Sequence, residues 1–78
     1  MNKAVYYVTD GNGLLFSHID AGRVWWNNPN KPICTDFQGQ NYNPEPYQFE
    51  NLDRAMWFAE LLRTTALGYI KGADVICA

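Results

Sequence analysis

The sequence predicts an α+β fold, a small antiparallel β-meander sheet of three to five strands with one α-helix (about 52–67) packed on one face. Three observations lead to this prediction. Short β-branched and aromatic runs in the first half are typical of strands. Glycine-containing turn dipeptides separate these runs. Residues 52–67 contain no Gly or Pro and many good helix formers. The chain of 78 residues is short enough that we expect a single domain, residues 1–78.

The first three strands are predicted at residues 4–9, 14–19 and 23–26. Asp10-Gly11-Asn12-Gly13 joins the first two, because Asp-Gly and Asn-Gly supply the positive φ angles of tight turns. Gly22 is the expected left-handed position of the second turn.

The remaining strands are predicted from weaker signals. Residues 33–37 follow a stretch rich in Pro and Asn and are predicted as a short edge strand. A polar loop is expected over residues 38–48. Residues 69–70 and 73–77 are candidates for a last strand, interrupted at Gly72.

The helix has signals at both ends. Asn51 is a good N-cap, Asp53 suits the first turn, and Gly68 is placed to end the helix. The helical period gathers one apolar stripe as the predicted core face: Leu52, Ala55, Met56, Phe58, Ala59, Leu62 and Ala66.

Composition and charge narrow the classes of function. Apolar residues make up 47% of the chain, which excludes a disordered tail. The net charge is −2, whereas binding to a phosphate backbone needs clustered positive charge, so direct nucleic-acid binding is not expected. No apolar run approaches the roughly 20 residues of a membrane span. We expect a cytoplasmic protein that has a protein partner and no membrane association.

The cysteine and histidine content predicts neither a metal site nor a cofactor. Cys34 and Cys77 are too few for zinc and are expected to be reduced, with a single disulfide as the alternative. His18 is the only histidine and is interpreted as a surface residue of a strand. A thiol hydrolase, with His18 as base for Cys34 and Asp20 or Asp36 orienting the histidine, is the third hypothesis for function.

Paired aromatic residues are the most distinctive feature of the strands. Tyr6 and Tyr7 point to opposite faces, as do Trp25 and Trp26, so one of each pair lies on the open face of the sheet. A single-stranded nucleic-acid-binding domain that stacks bases on these rings is the alternative function. Sugar binding through Trp and Asn is also conceivable. A cover formed by the loop 38–48 is the explanation without function.

The helix itself suggests a contact surface for another protein. Trp57 and Leu61 are predicted to lie off the core stripe as an i,i+4 pair, with Asp53 and Glu60 beside them. An exposed Trp-Leu pair rimmed by charge is typical of a binding hot spot. The open alternative is that Pro44, Pro46 and Tyr47 fold back over Trp57. The sequence therefore predicts no catalytic residues and the following partner-binding residues: Trp57, Leu61, Asp53, Glu60, Trp25, Tyr7, Asp10 and Asp20.

The chain as a whole resembles the small inhibitor proteins that phages and mobile elements encode, of the anti-CRISPR kind. The resemblance is one of type: a short acidic chain of meander and helix, rich in Asn and Tyr, without catalytic motifs. It implies a non-enzymatic inhibitor that occupies a surface of a host defence complex in the host cytoplasm. Four carboxylates expected to be exposed would then face a basic, nucleic-acid-binding surface of the target: Asp10, Asp20, Asp36 and Glu45.

Overall fold

The computed structural model describes residues 4–37, 39–65 and 69–78, and it confirms the predicted α+β architecture. Its elements are β1 (Tyr6–Thr9), β2 (Leu15–Asp20), β3 (Arg23–Asn27), α1 (Leu52–Thr64) and β4 (Asp74–Cys77). The strands form one antiparallel sheet in the order β3-β2-β1-β4. Helix α1 packs on β1 and β4. In the part of the chain that is described, no helix is both long enough and apolar enough to cross a bilayer.

Both predicted hairpin turns are present. In the first, one carboxylate oxygen of Asp10 accepts the backbone N–H groups of Asn12 at 2.7 Å and Leu14 at 3.1 Å. The second is a two-residue turn in which Ala21 has φ 52° and Gly22 has φ 74°. Positive φ at both positions is typical of the type I′ turn, whose twist matches that of the strands. The left-handed Gly22 is therefore confirmed, and Ala21 shares its conformation.

The first hairpin turn packs closely against the turn that leads into β4. A Cβ atom added to Gly11 would lie 2.6 Å from the carbonyl oxygen of Gly72, and one added to Gly72 would lie 2.8 Å from the carbonyl oxygen of Asp10. The two backbones approach this closely because neither residue has a side chain. This contact fixes the start of β4 beside the end of β1.

An extended segment before the helix fills a gap between β1 and β2. These two strands pair at Thr9 and Leu15 and then diverge. Tyr6 of β1 exchanges two backbone hydrogen bonds with Phe49, at 2.8 and 2.9 Å, and the Tyr47 N–H donates to the Phe16 carbonyl at 2.8 Å. The register shift between Phe16 and His18 supports the divergence. The chain thus passes between the two strands before it enters α1.

The core lies between α1 and the sheet and is small. Among the described residues its buried members are Val8, Phe16, Ala55, Phe58, Ala59, Leu62 and Ala73. Phe16 and Phe58 pack with ring centres 4.4 Å apart. Tyr6, Val24 and Trp26 pack against this cluster. Tyr6 and Trp26 are therefore the members of the two aromatic pairs that face the core.

The helix ends earlier than predicted. Asn51 is confirmed as the N-cap, and its side chain accepts the Arg54 N–H at 3.2 Å. Thr65 is the C-cap in an extended conformation, so α1 stops at Thr64. The hydroxyls of Thr64 and Thr65 bond to the carbonyls of the preceding turn, and β-branched residues favour the extended backbone. The predicted end at Gly68, and Ala66 of the predicted stripe, lie outside the described residues.

The weaker strand predictions are wrong for residues 33–37 and 69–70, whereas the strand predicted at residues 73–77 is confirmed as β4. Residues 33–37 form no strand; Cys34 instead makes an isolated bridge with Asn43, through backbone bonds of 2.8 and 2.7 Å. The last strand covers only Asp74–Cys77, because Tyr69 has φ 48° and the turn at residues 71–72 separates it from β4. The bounds of β1, β2 and β3 differ from the prediction by one or two residues.

The contact stripe of α1 is narrower than predicted. Leu52 and Met56 were expected in the core, but they expose 43% and 54% of their surface. The sheet contacts α1 through β1, β4 and Phe16 of β2, and the side of the helix that carries Leu52 and Met56 faces solvent. Leu61 was expected to be exposed, but it is half-buried against the core, one turn after Phe58.

Candidate protein-binding site

Trp57 stands on the solvent side of α1 and exposes 61% of its surface. The buried residues of the helix are Ala55, Phe58, Ala59 and Leu62. The helical period places Trp57 on nearly the opposite side of the helix from this buried face. The exposure predicted for Trp57 is therefore confirmed. The predicted Trp57–Leu61 pair is not, because Leu61 turns toward the core.

Trp57 forms one wall of a groove of about 450 Å³, the helix groove. The extended segment enters α1 directly after its passage between β1 and β2, and this brings Tyr47 and Phe49 beside the first turns of the helix. The lining comprises Tyr47, Gln48, Phe49, Glu50, Asn51, Arg54, Trp57 and Phe58. A second, more open cleft of about 360 Å³ is lined by Asn51, Asp53, Arg54 and Trp57. The Trp57 ring borders both clefts.

The polar groups around Trp57 carry both signs of charge. Asp53 and Arg54 are exposed on the first turns of α1, and in the described chain no carboxylate pairs with the Arg54 guanidinium. Glu60 binds Arg63 at 2.7 Å across one turn of the helix. The Arg63 guanidinium also donates to the Ala73 carbonyl at 2.6 Å, which ties the end of α1 to the start of β4. Glu60 is therefore paired within the fold. The exposed Arg54 at the helix groove and Asp53 at the second cleft can contact a partner.

The proline loop does not cover Trp57. Pro44 is buried at the sheet, where its carbonyl accepts the Asn27 side-chain amide at 2.9 Å. The Tyr47 ring packs edge-on against Phe49, with centres 4.7 Å apart, and lines the helix groove from the side opposite the helix. The predicted alternative, in which this loop closes over the tryptophan, is therefore wrong.

The open face of the sheet holds a covered aromatic cluster around Trp25. The His18 ring stacks on Trp25 with an interplanar angle of 10°, and the Arg23 guanidinium carbon lies 4.7 Å from the Trp25 ring centre. Phe37 and Tyr42 pack against Trp25 nearly at right angles, with centres 5.5 and 5.3 Å away. Tyr42 of the loop 38–48 thus packs on Trp25, in agreement with the alternative in which this loop covers the open-face ring.

His18 is half-buried and hydrogen-bonded at both ring nitrogens, so its expected place on the surface is wrong. Ser17 donates its only hydroxyl proton to the Glu45 carbonyl at 2.6 Å. It can therefore only accept from His18 Nδ1, 2.9 Å away, and Nδ1 carries the proton of the neutral ring. Nε2 then accepts from the Tyr42 hydroxyl at 3.3 Å. Within the described residues no hydrogen bond joins His18 to Cys34, as the thiol-hydrolase hypothesis would require.

Two groups of the aromatic cluster are held in unfavourable surroundings. Loss of solvent raises the pKa of the Tyr42 hydroxyl above its ordinary 10.0, and the nearby Asp20 carboxylate raises it further. Trp25 Nε1 is buried and has no hydrogen-bond partner in the described part of the chain. Such an unmatched donor costs about 1–3 kcal/mol. The packing of this cluster therefore leaves one buried N–H donor, Trp25 Nε1, without an acceptor among the described residues.

The predicted partner-binding residues divide between two regions. Trp57, Asp53 and Glu60 lie on the outer side of α1. Tyr7 pairs with Ile76 and is half-buried on the open face of the sheet, the face that also holds Trp25. Asp20 ends β2 on the same face. Asp10 is half-buried and bonded within its turn, so its expected exposure is wrong.

Sequence reasoning missed the contribution of Tyr47 and Phe49 to the helix groove. The alternation Pro44-Glu45-Pro46 signals an extended segment, because a residue before proline avoids the helical region. Nothing local in the sequence says that this segment inserts between β1 and β2.

No family model, no curated protein and no solved structure matches the chain. In the described ranges, no group of three or more His, Cys, Asp and Glu side chains is placed to hold a metal ion.

Proposed function

We propose that this chain is a non-enzymatic protein-binding module whose contact surface is the helix groove, with Trp57 as its anchor. The observation that carries the proposal is the exposure of a large, rigid aromatic ring beside a groove with apolar walls. An aromatic side chain of this kind can bury 150–250 Å², roughly, in a contact. The fold gains little from leaving that area in water.

The residue types of the groove support the same proposal. Trp, Tyr and Arg are enriched among the residues that dominate binding energy, and Trp57, Tyr47 and Arg54 line one groove. The apolar rings are bordered by Gln48, Glu50, Asn51 and Arg54, and Asp53 lines the neighbouring cleft, which fits the usual arrangement of an apolar core and a polar rim. Arg54 has donors available for a carboxylate or a backbone carbonyl of the partner.

The narrower form of the proposal is an inhibitor of a host defence complex of the anti-CRISPR kind, acting in the host cytoplasm. It rests on the resemblance in size, acidity and element order. Asp20, Asp36 and Glu45 are exposed and could face a basic surface on such a target, whereas Asp10 is engaged in its turn. Single-stranded nucleic-acid binding is less well supported, because His18 and Arg23 lie against the Trp25 ring that bases would need.

The proposal is tested by comparing three baits in quantitative capture from bacterial lysate. The baits are the wild type, Trp57→Ala, and Met56→Ala as the matched control. Met56 is similarly exposed on the same helix but does not line the groove. We expect a partner that the wild type and Met56→Ala capture equally and that Trp57→Ala loses. Equal capture by all three baits would contradict the proposed site.

A further inference from the structure

A second groove, the loop groove, lies beside β3 at the opposite end of the sheet from β4. It has a volume of about 580 Å³, within the range of small-molecule sites. The half-buried rings of Trp26 and Tyr42 line it, together with the polar side chains of Asn28, Lys31, Gln40 and Asn41. None of these residues lines the helix groove, so the two grooves are separate.

The loop groove is held in shape by one buried side chain. The Asn43 amide nitrogen lies 3.0, 3.1 and 3.0 Å from the carbonyl oxygens of Asn28, Lys31 and Pro32, and its oxygen accepts the Asn28 N–H at 2.7 Å. Asn43 is 4% exposed, so these bonds are shielded from water. Because these hydrogen bonds already order the loop, binding of a ligand costs little further conformational entropy.

The polar groups of the groove that do not serve the fold are mostly carboxamides. Among the described residues, the Gln40 and Asn41 side chains have no hydrogen-bond partner, although their neighbours do. A carboxamide both donates and accepts, as does a hydroxyl group of a ligand. Of the described residues that line the groove, none is a carboxylate and Lys31 is the one cation, which disfavours a cationic ligand and offers no cradle for a phosphate.

From this lining we infer that the loop groove binds a neutral saccharide. The C–H groups on one face of a pyranose carry a slight positive charge and pack on the negative face of an aromatic ring, here Tyr42 or Trp26. The hydroxyl groups around the sugar then meet Gln40, Asn41 and the ammonium group of Lys31. Apolar ring surface combined with amides that both donate and accept matches this ligand class better than an ion or a hydrocarbon.

The test is a titration of the isotope-labelled protein with neutral sugars, followed by two-dimensional NMR. The probes are glucose, mannose, N-acetylglucosamine and cellobiose. We expect at least one sugar to shift amide signals within residues 28–43 and to leave those of residues 51–58 in place. Sodium phosphate and glycine betaine serve as anionic and cationic probes, and neither is expected to shift these signals.

The double variant Gln40→Ala, Asn41→Ala should weaken the binding about tenfold, as expected for the loss of two hydrogen bonds to the ligand. Both side chains are at the surface and unbonded, so the fold should tolerate the change; an unchanged spectrum without sugar checks this. Asn12→Ala removes an exposed amide that lines neither groove and should bind as the wild type does. The inference is overturned if no sugar shifts residues 28–43, or if the double variant binds equally well.

Discussion

Single asparagine side chains hold together parts of this chain that are distant in sequence. Asn27 bonds to the Pro44 carbonyl and Asn43 to three carbonyls between residues 28 and 32, and both side chains are buried. The sequence predicts turns at Asn12 and in the Pro- and Asn-rich stretch before residue 33, and an N-cap at Asn51. It could not show which asparagines lie in the interior, because their partners are 11–17 residues away.

Ala21 is poorly suited to its conformation. It has φ 52°, where an alanine Cβ crowds the following carbonyl and Asn is tolerated. Ala21→Asn creates the Asn-Gly pair that type I′ turns prefer. We expect the free energy of unfolding to rise by about 1 kcal/mol, measured by urea denaturation. Gly22→Ala, at φ 74° in the same turn, is the control and should lower it. A drop in stability for Ala21→Asn would contradict the turn assigned here.

The Tyr42 hydroxyl should ionise at a higher pH than an ordinary tyrosine. Its pKa is raised above 10.0 by loss of solvent and by Asp20, so the folded state keeps the proton to higher pH than the unfolded chain does. The stability linked to this group is intact below pH 10.0 and is lost as the pH rises through the folded pKa. Ultraviolet titration of phenolate absorbance should show a late component that Tyr42→Phe lacks. A wild-type curve with a single step near pH 10 would contradict this environment.

Among the secondary-structure elements, the first three strands, both hairpin turns and the start of α1 were predictable from local signals. Positive φ angles, capping and helix propensity are encoded by neighbouring residues. The insertion of residues 43–49 between β1 and β2 is not local, because it depends on bonds to Tyr6 and Phe16 far along the chain. For the same reason Tyr47 and Phe49 were missed as groove residues, while the exposure of Trp57 followed from helical phase alone.

The phase of α1 can be tested with one pair of leucines. Leu62 is fully buried, whereas Leu52 lies on the same helix and is 43% exposed. Leu62→Ala should lower the free energy of unfolding by about 2–5 kcal/mol. Leu52→Ala, the same change at the surface, should lower it by less than about 1 kcal/mol. Equal losses in chemical denaturation would show that Leu52 also lies in the core, as the sequence alone predicted.

The molecule as a whole is thin, with principal extents of 37 × 34 × 20 Å, because it has only one helix on one sheet. A chain of this length has a total stability of roughly 4–12 kcal/mol, so one deep truncation removes much of it. A thin two-layer molecule also leaves a large share of its apolar side chains at the surface. The sequence predicted the layers, but it did not predict the grooves, which arise from the path of residues 38–49.

The two cysteines are free thiols in this fold, Cys34 half-buried and Cys77 exposed at the end of β4. The melting temperature should therefore be the same with and without reductant. Cys34→Ser with Cys77→Ser serves as the control and should melt within a few degrees of the wild type. A disulfide between them would be worth about 4 kcal/mol, and its reduction would lower the melting temperature by many degrees. Such a drop would contradict the free thiols.

The central claim is that Trp57 serves binding and not the fold. Trp57→Ala should change the free energy of unfolding by no more than about 1 kcal/mol, as an exposed position allows. Its affinity for the captured partner, measured by titration calorimetry, should fall by 2 kcal/mol or more, which is about 30-fold. Met56→Ala should retain both properties. A Trp57→Ala protein that is stable and binds with unchanged affinity, or one that unfolds readily, would contradict the account.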